Sequence, residues 1–334
     1  VKQCLLCAGP GAILYERARD RLFCVEGEYN YYRCLNCGFV WLSPRPIQED
    51  ISECYKDFYT HQFSQAKKRK IFTGLRQRIR LWILHAHYGT PLKNRTKLVF
   101  LLGWILSKIP SLRRRAAYVE SIFPPWAEKG RLLDIGCGNG FFLSVMKIIG
   151  WQVSGVEIDP ECVRIAQEVH KIPVSVGSLA KANFPSASFD AITMNHVIEH
   201  IADPLDLLKE SYRVLTKGGY LCIATPNIQS LGHYIFKKDW LPLDPPRHLC
   251  HWNCKTLSET VGKVGFRIVW CKTSSIGALP TFKQSHQIKI NGKVADYKVT
   301  VPFRLRLASW LEAMLNLFTH HWGEEIWLLA RKEG

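Results

Sequence analysis

Two Cys-x-x-Cys pairs, Cys4 with Cys7 in "CLLC" and Cys34 with Cys37 in "CLNC", are the residues of this 334-residue chain most committed to one chemistry. Each pair turns two thiolates toward one point, and two such knuckles supply the four sulfurs of a tetrahedral zinc site. With every coordination position taken by protein, the metal is expected to be structural. Gly38 follows the second pair, where the chain must turn back. Cys24 and Cys54 have no partner at that spacing and read as ordinary buried cysteines. A second ligand-rich stretch, "PPRHLCHWNC" (245–254), sets Arg247, His248, Cys250, His251 and Cys254 behind two prolines. Four ligand-type residues at spacings of two, one and three would crowd a single ion, so a base at His248 or a stiff wall fits better than a second metal.

A third motif binds by shape. "RLLDIGCGNGFFLSVMKIIG" reads as a buried strand, a glycine-rich turn and a helix beginning near Gly140. "WQVSGVEIDP" then reads as a second strand ending in Glu157, so the two form a strand–helix–strand nucleotide unit. Gly136, Gly138 and Gly140 let the backbone approach a ligand closely, and Glu157 can accept both hydroxyls of a ribose. The spacing departs from the dinucleotide fingerprint G-x-G-x-x-G. Asp134 just before the turn would gain nothing from a pyrophosphate, but it suits a ligand with a cationic end, such as the amino group of a methionine moiety.

The elements that carry these residues fit a globular chain, with 47% hydrophobic and 22% charged residues. No apolar leader opens "VKQCLLCAGP", and twelve cysteines without secretory context point to reduced thiols in the cytoplasm. The net charge of +17 is local: residues 66–115 hold fourteen Lys or Arg and no Asp or Glu. In this insert "KKRKIFTGLRQRIRLWILHAHYG" and "KLVFLLGWILSKIPSLRRR" place apolar residues at helical spacing among cations. The longest apolar run, 98–106, is too short to span a bilayer. The insert is therefore a helical cap with a solvated basic face, an interfacial helix pair with Trp82 and Trp104 in anionic lipid, or, less favoured, a nucleic-acid contact.

With "DIGCGNG" and "VEID" in place, the chain resembles the class I S-adenosylmethionine-dependent methyltransferases. "SFDAITMNHVIEHIADPLDLLKESYRVLTKGGYLCIATPN" looks like their fourth strand, following helix and fifth strand, and "HVIEHIADP" is similar to the ubiquinone-biosynthesis O-methyltransferases. "CLNCGFVWLSPRP", "YKDFY" and "TPNIQSLGHYIFKKDWLPLDPPRHLCHWNCKTL" resemble zinc-ribbon-bearing bacterial methyltransferases of sugar and polysaccharide biosynthesis. The resemblance spans residues 1–60 and about 118–275, plus "GEEIWLLARK" as a closing strand; it does not reach the basic insert.

The resemblance implies an α/β fold: a seven-stranded Rossmann-like methyltransferase sheet with helices on both faces, a small N-terminal zinc ribbon and a basic helical insert. The boundaries it suggests are 1–60 for the ribbon and linker, 61–117 for the insert and 118–334 for the methyltransferase domain, with an acceptor lid at about 226–256. S-adenosylmethionine would lie across the strand tips. Asp134, Gly136 and Gly138 would line its methionine end, Gly140 would complete the cofactor loop, Glu157 would hold the ribose, and Ile158 would face the adenine. Ser178 and Leu179 would flank the base, with Ser178 standing where many relatives have Asp. Asn195 and His196 would sit beside the sulfonium.

Methyl transfer to an alcohol needs a base near neutrality, and histidine is the usual choice. The candidates are His196, His200, His248 and His251, with His248 and His200 favoured, and Arg247 binding an acceptor phosphate or carboxylate or else forming a surface ion pair. The acceptor expected is a small or lipid-linked molecule such as a sugar, for an enzyme in the cytoplasm or peripheral at the inner membrane face. The alternatives are an RNA base methyltransferase and a zinc-ribbon binding protein on a non-catalytic methyltransferase fold. "VPFRLRLASWLEAMLNLFTHHWG" has amphipathic helical spacing and would extend the lid or form a homo-oligomer contact.

Overall fold

The computed structural model describes residues 3–46, 75–88, 96–109, 112, 124–125, 130–294 and 300–333. Cys54 and the parts of the basic insert at 66–74, 89–95, 110–111 and 113–115 lie outside the described residues.

The strands in chain order are β1 Gly11–Ala18, β2 Tyr29–Cys34, β3 Val40–Ser43, β4 Arg131–Ile135, β5 Gln152–Glu157, β6 Val174–Val176, β7 Phe189–Asn195, β8 Leu215–Pro226, β9 Cys250–His251, β10 Phe266–Ser274 and β11 Glu325–Lys332. The α-helices are α1 Leu75–Tyr88, α2 Lys97–Ser107, α3 Phe141–Ile148, α4 Pro160–His170, α5 Leu179–Ala182, α6 Pro204–Val214, α7 Leu231–Phe236, α8 Cys254–Lys263, α9 Ala278–Asn291 and α10 Phe303–Thr319. Local chemistry sets their ends. Asp159 caps α4, accepting from the Glu161 amide ahead of which Pro160 pre-sets φ, and Asn253 and Thr256 form a reciprocal capping box on α8.

Seven strands form one sheet in the order β10-β11-β8-β7-β4-β5-β6, as the sequence leads one to expect. β4 runs parallel to both β5 and β7, and β5 runs parallel to β6. The strand order reverses direction at β4, and in open α/β sheets ligands bind outside the carboxyl ends of the strands at such a switch point. Asp134 lies on β4 and Asn195 ends β7. The last strand, β11, is inserted between β8 and β10.

Contacts divide the chain into two compact units, one of residues 59–195, 210–222 and 332–334, the other of 1–58, 196–209 and 223–331. The core of the first joins Leu132, Leu143, Met146, Trp151 and Val163 with Ile83 and Leu84 of α1. Helix α1 of the basic insert thus buries an apolar side in this core. In the second unit, Tyr31, Val40, Leu42, Phe236, Trp240, Leu249 and Phe282 form one cluster.

A four-stranded sheet in the order β1-β2-β3-β9 also belongs to the second unit. β9 comes from the middle of "PPRHLCHWNC": Val40 pairs with His251 and Trp41 with Cys250, antiparallel, and the Leu42 amide donates to the Leu249 carbonyl at 2.9 Å. The N-terminal module and this stretch therefore share one sheet. Cys24, expected to be buried, is exposed.

Candidate active site

The glycine-rich turn is held open by its own backbone. The Gly136 and Cys137 amides donate to the Val156 carbonyl at 2.8 and 3.2 Å, and the φ values at Gly136, Gly138 and Gly140 are +66°, +52° and +77°. A side chain disfavours all three values. The glycines differ in what they face. A Cβ on Gly138 would have no atom within 4 Å, whereas one on Gly140 would fall 2.8 Å from the Ala166 Cβ. Gly138 leaves a cradle open for a ligand; Gly140 lets the turn close on α4.

Two carboxylates border that cradle. Glu157 accepts from the Gly138 amide at 2.8 Å through Oε2, and from the Ile158 and Asp159 amides at 2.7 and 3.0 Å through Oε1. Asp134 is buried and accepts from the Thr193 hydroxyl at 2.6 Å. Burial pushes its pKa up to about 7 against that hydrogen bond, and the charge of Glu157 pushes in the same direction. Ile158 is exposed and Asn195 half-buried. Ser178 caps α5, its Oγ accepting from the Lys181 amide at 3.3 Å. Leu179 is buried in the core, so a base could meet only its backbone.

In the other unit, three histidines surround one carboxylate. Glu199 sits on a 3-10 turn, Ile198–His200, with its side chain fully buried. Its Oε1 lies 3.2 Å from His196 Nδ1, and its Oε2 accepts from the Thr225 hydroxyl at 2.9 Å. Burial raises the Glu199 pKa, but the hydrogen bond and charge of His196 outweigh it and bring it down to about 2. His196 Nε2 lies 3.3 Å from Glu325 Oε1, so both ring nitrogens face carboxylates. Burial works against the charged ring, yet the two carboxylates hold its pKa well above the usual histidine range. Expected as a neighbour of the sulfonium or a candidate base, His196 is the cationic centre of a carboxylate pair.

His200 and His248 stand edge to face, with ring centroids 4.6 Å apart. Each places Nδ1 on a backbone carbonyl, His200 on that of Arg247 at 3.1 Å and His248 on that of Pro242 at 2.6 Å. Those contacts fix Nδ1 as the donor and put the lone pair of the neutral ring on Nε2. Burial lowers the His200 pKa to about 4. His200 is therefore neutral but a weak base at neutral pH. One ligand-type atom each from Glu199, His200 and His248 lies within 4.8 Å of the others, a donor set that suits a divalent cation.

The other ligand-type residues of "PPRHLCHWNC" disperse. Cys250 donates to the Ile198 carbonyl at 3.4 Å, and His251 is buried against Tyr31 and Trp240. The Cys254 carbonyl accepts from the Cys271 thiol at 3.8 Å.

Arg247 requires a correction. It was expected to grip an acceptor anion or to form a surface ion pair. Instead its side chain is wholly buried, and its fork is taken by Asp20, with Nη1–Oδ2 at 2.9 Å and Nη2–Oδ1 at 2.7 Å. Nε also donates to Asp244 Oδ2 at 2.9 Å, and Phe23 stacks on the guanidinium with 4.8 Å to its centroid. Burial opposes the charge, but the Asp244 and Asp20 hydrogen bonds outweigh it and raise the Arg247 pKa. The ion cluster is structural.

The four cysteines converge as two knuckles. Cys4 and Cys37 sulfurs are 3.6 Å apart, and those of Cys7 and Cys34 are 3.4 Å apart. Amides of Leu6, Asn36 and Cys37 point at the Cys4 and Cys34 sulfurs, each at 3.4 Å. A tetrahedral ion with metal–sulfur bonds of about 2.3 Å needs sulfurs roughly 3.8 Å apart, so the cluster fits one after a small expansion.

Residues 109–270 match the family model described as "Methyltransferase domain". The matched residues form a methyltransferase domain. Among curated proteins the chain is similar to a ubiquinone biosynthesis O-methyltransferase of Xanthomonas oryzae, with 34% identity over 29% of this chain and 43% of that protein. It is also similar to a probable S-adenosylmethionine-dependent methyltransferase of Mycolicibacterium smegmatis, with 29% identity over 41% of this chain and 52% of that protein. The chain thus spans about half the length, or less, of the curated relatives it matches. A solved S-adenosylmethionine-dependent methyltransferase of Methanosarcina mazei aligns over 64% of this chain and 99% of that one, with 18% identity and a TM-score of 0.45.

The residues that sequence reading missed are the partners: Asp20, Thr225, Glu325 and Glu199 as a hub. Only Glu199 carried a local signal, because His196 and Glu199 stand three apart in "HVIEH". Replacing Arg247 with Leu leaves the buried Asp20 and the half-buried Asp244 carboxylates without their counter-charge. The variant should lose about 3–5 kcal/mol of stability, read by denaturant unfolding, and Arg247→Lys should recover little of it because the fork is bidentate.

Proposed function

We propose that the chain transfers a methyl group from S-adenosylmethionine to a hydroxyl of a small or lipid-linked acceptor, such as a sugar. The cofactor supplies the methyl on a sulfonium, and the chain's own groups bind, orient and move one proton. The open side of Gly138, bordered by Asp134 and Glu157, carries the cofactor reading. Asp134 meets the cationic amino group and Glu157 the ribose, with Gly136 beside them and Ile158, Ser178 and the Leu179 backbone around the base.

His248 is the proposed base. Its Nδ1–H contact with Pro242 presents Nε2 as the acceptor of the hydroxyl proton. Glu199, ionised and buried, offsets the positive charge that His248 gains. His200 is a positioning group, neutral at working pH. The ubiquinone-biosynthesis relatives bear the name O-methyltransferase, which supports oxygen as the acceptor atom. We also infer that Cys4, Cys7, Cys34 and Cys37 hold a structural zinc ion, on the strength of their convergence.

Calorimetric titration with S-adenosylmethionine should show one site per chain, weakened at least tenfold in Glu157→Ala. Asp134 must give up its proton to meet a cation. Its pKa of about 7 therefore predicts affinity that falls tenfold per unit as pH drops from 7 toward 5, and Asp134→Asn should flatten that slope. No binding at saturating cofactor would defeat the enzyme reading.

Transfer of labelled methyl into a panel of free and lipid-linked sugars should drop about 10²- to 10⁴-fold in His248→Ala with cofactor affinity unchanged. Full turnover in that variant would reduce the segment to a wall. Elemental analysis should find one zinc per chain, lost in Cys37→Ser. Unchanged metal content would remove the zinc assignment.

A further inference from the structure

Helix α10 is inside out. Along its 17 residues the exposed large apolar side chains include Phe303 (80% exposed), Leu307, Trp310 (57%), Leu311, Met314 and Phe318 (81%). Their spacings of four, three, one, three and four put them on one face at 3.6 residues per turn. The opposite face carries the polar groups inward. Asn316 is buried, with its Nδ2 donating to the Thr273 carbonyl at 2.8 Å and its Oδ1 accepting from the Gly323 amide at 3.2 Å. Glu312 is buried and accepts from the Glu324 amide at 3.2 Å. A surface helix normally does the reverse.

The charges around this face have one sign. Among the described residues of α9 and α10, which pack on each other, Glu312 is the sole carboxylate, and it is buried. Burial and the neighbouring Glu324 raise its pKa to about 9, so it is uncharged at neutral pH. Arg304, Arg306 and Lys289 are exposed. Pairing the face with a second copy of itself would set these cations against their own images. An anionic partner would neutralise them. Among the described residues no helix is long and apolar enough to cross a membrane, and at 1.5 Å per residue α10 is about 25 Å long.

We propose that the exposed face of α10 docks in the plane of an anionic lipid surface. Trp310, Phe303 and Phe318 enter the boundary between headgroups and acyl chains, and Arg304 and Arg306 reach the headgroup phosphates. This surface is distinct from the basic insert.

The test is flotation of the full chain with phosphatidylcholine vesicles and with mixed phosphatidylcholine–phosphatidylglycerol vesicles. Binding is expected to the mixed vesicles and to weaken as salt rises. Arg304→Gln and Arg306→Gln should each weaken it about fivefold. Trp310→Ser with Phe318→Ser should weaken it at least tenfold while leaving the unfolding midpoint near that of the parent, because both side chains are exposed. Equal flotation of these variants overturns the proposal, as does equal binding to neutral vesicles. A dimer in lipid-free solution that the Trp310/Phe318 pair abolishes also overturns it, and assigns the face to a second copy.

Discussion

A guanidinium removed from water is tolerable only where carboxylates surround it, and Arg247 meets that condition with Asp20, 227 positions away in the chain, and Asp244, three away. Asp20 lies in the N-terminal module and Asp244 just before the prolines. By satisfying both, Arg247 fixes the backbone that carries His248 and presents the carbonyl on which His200 rests. The histidines' orientation thus depends on a charge that touches neither ring.

Glu199 then differentiates the histidines. His196, between Glu199 and Glu325, is held protonated; His200, buried beside His248, is held neutral. Opposite shifts within a few ångströms are how one pocket keeps acid and base roles apart. In the cofactor cradle burial pushes the pKa of Asp134 up to about 7, and Glu157 accepts from three backbone amides.

How much of this could be read from the sequence depended on range. The cysteine knuckles, the glycine turn and Glu157 were legible because each works through neighbours a few residues away or through a repeated spacing. The seven-stranded sheet was expected from the resemblance to the class I methyltransferases, and it is present. The role of Arg247 was not legible. An arginine beside a histidine reads as an anion grip, and nothing near 247 announces Asp20. The resemblance sets Leu179 beside the base, yet as the first residue of α5 its side chain turns into the core. The separate jobs of Gly138 and Gly140 need Ala166 in view, and that alanine is 26 residues downstream.

The pairing of β9 with β3 also has a consequence in time. Val40 and Trp41 find their partners only after residue 251 has been made, so the sheet cannot close while the N-terminal module is the only part available. Contacts this distant in sequence are slow to form. During synthesis, at roughly 5–20 residues per second, β3 is an unpaired edge for about 10–40 seconds. The buried Trp41 and Leu42 are the side chains that this wait leaves uncovered, and a metal bound early at the knuckles would keep β1 to β3 together through it.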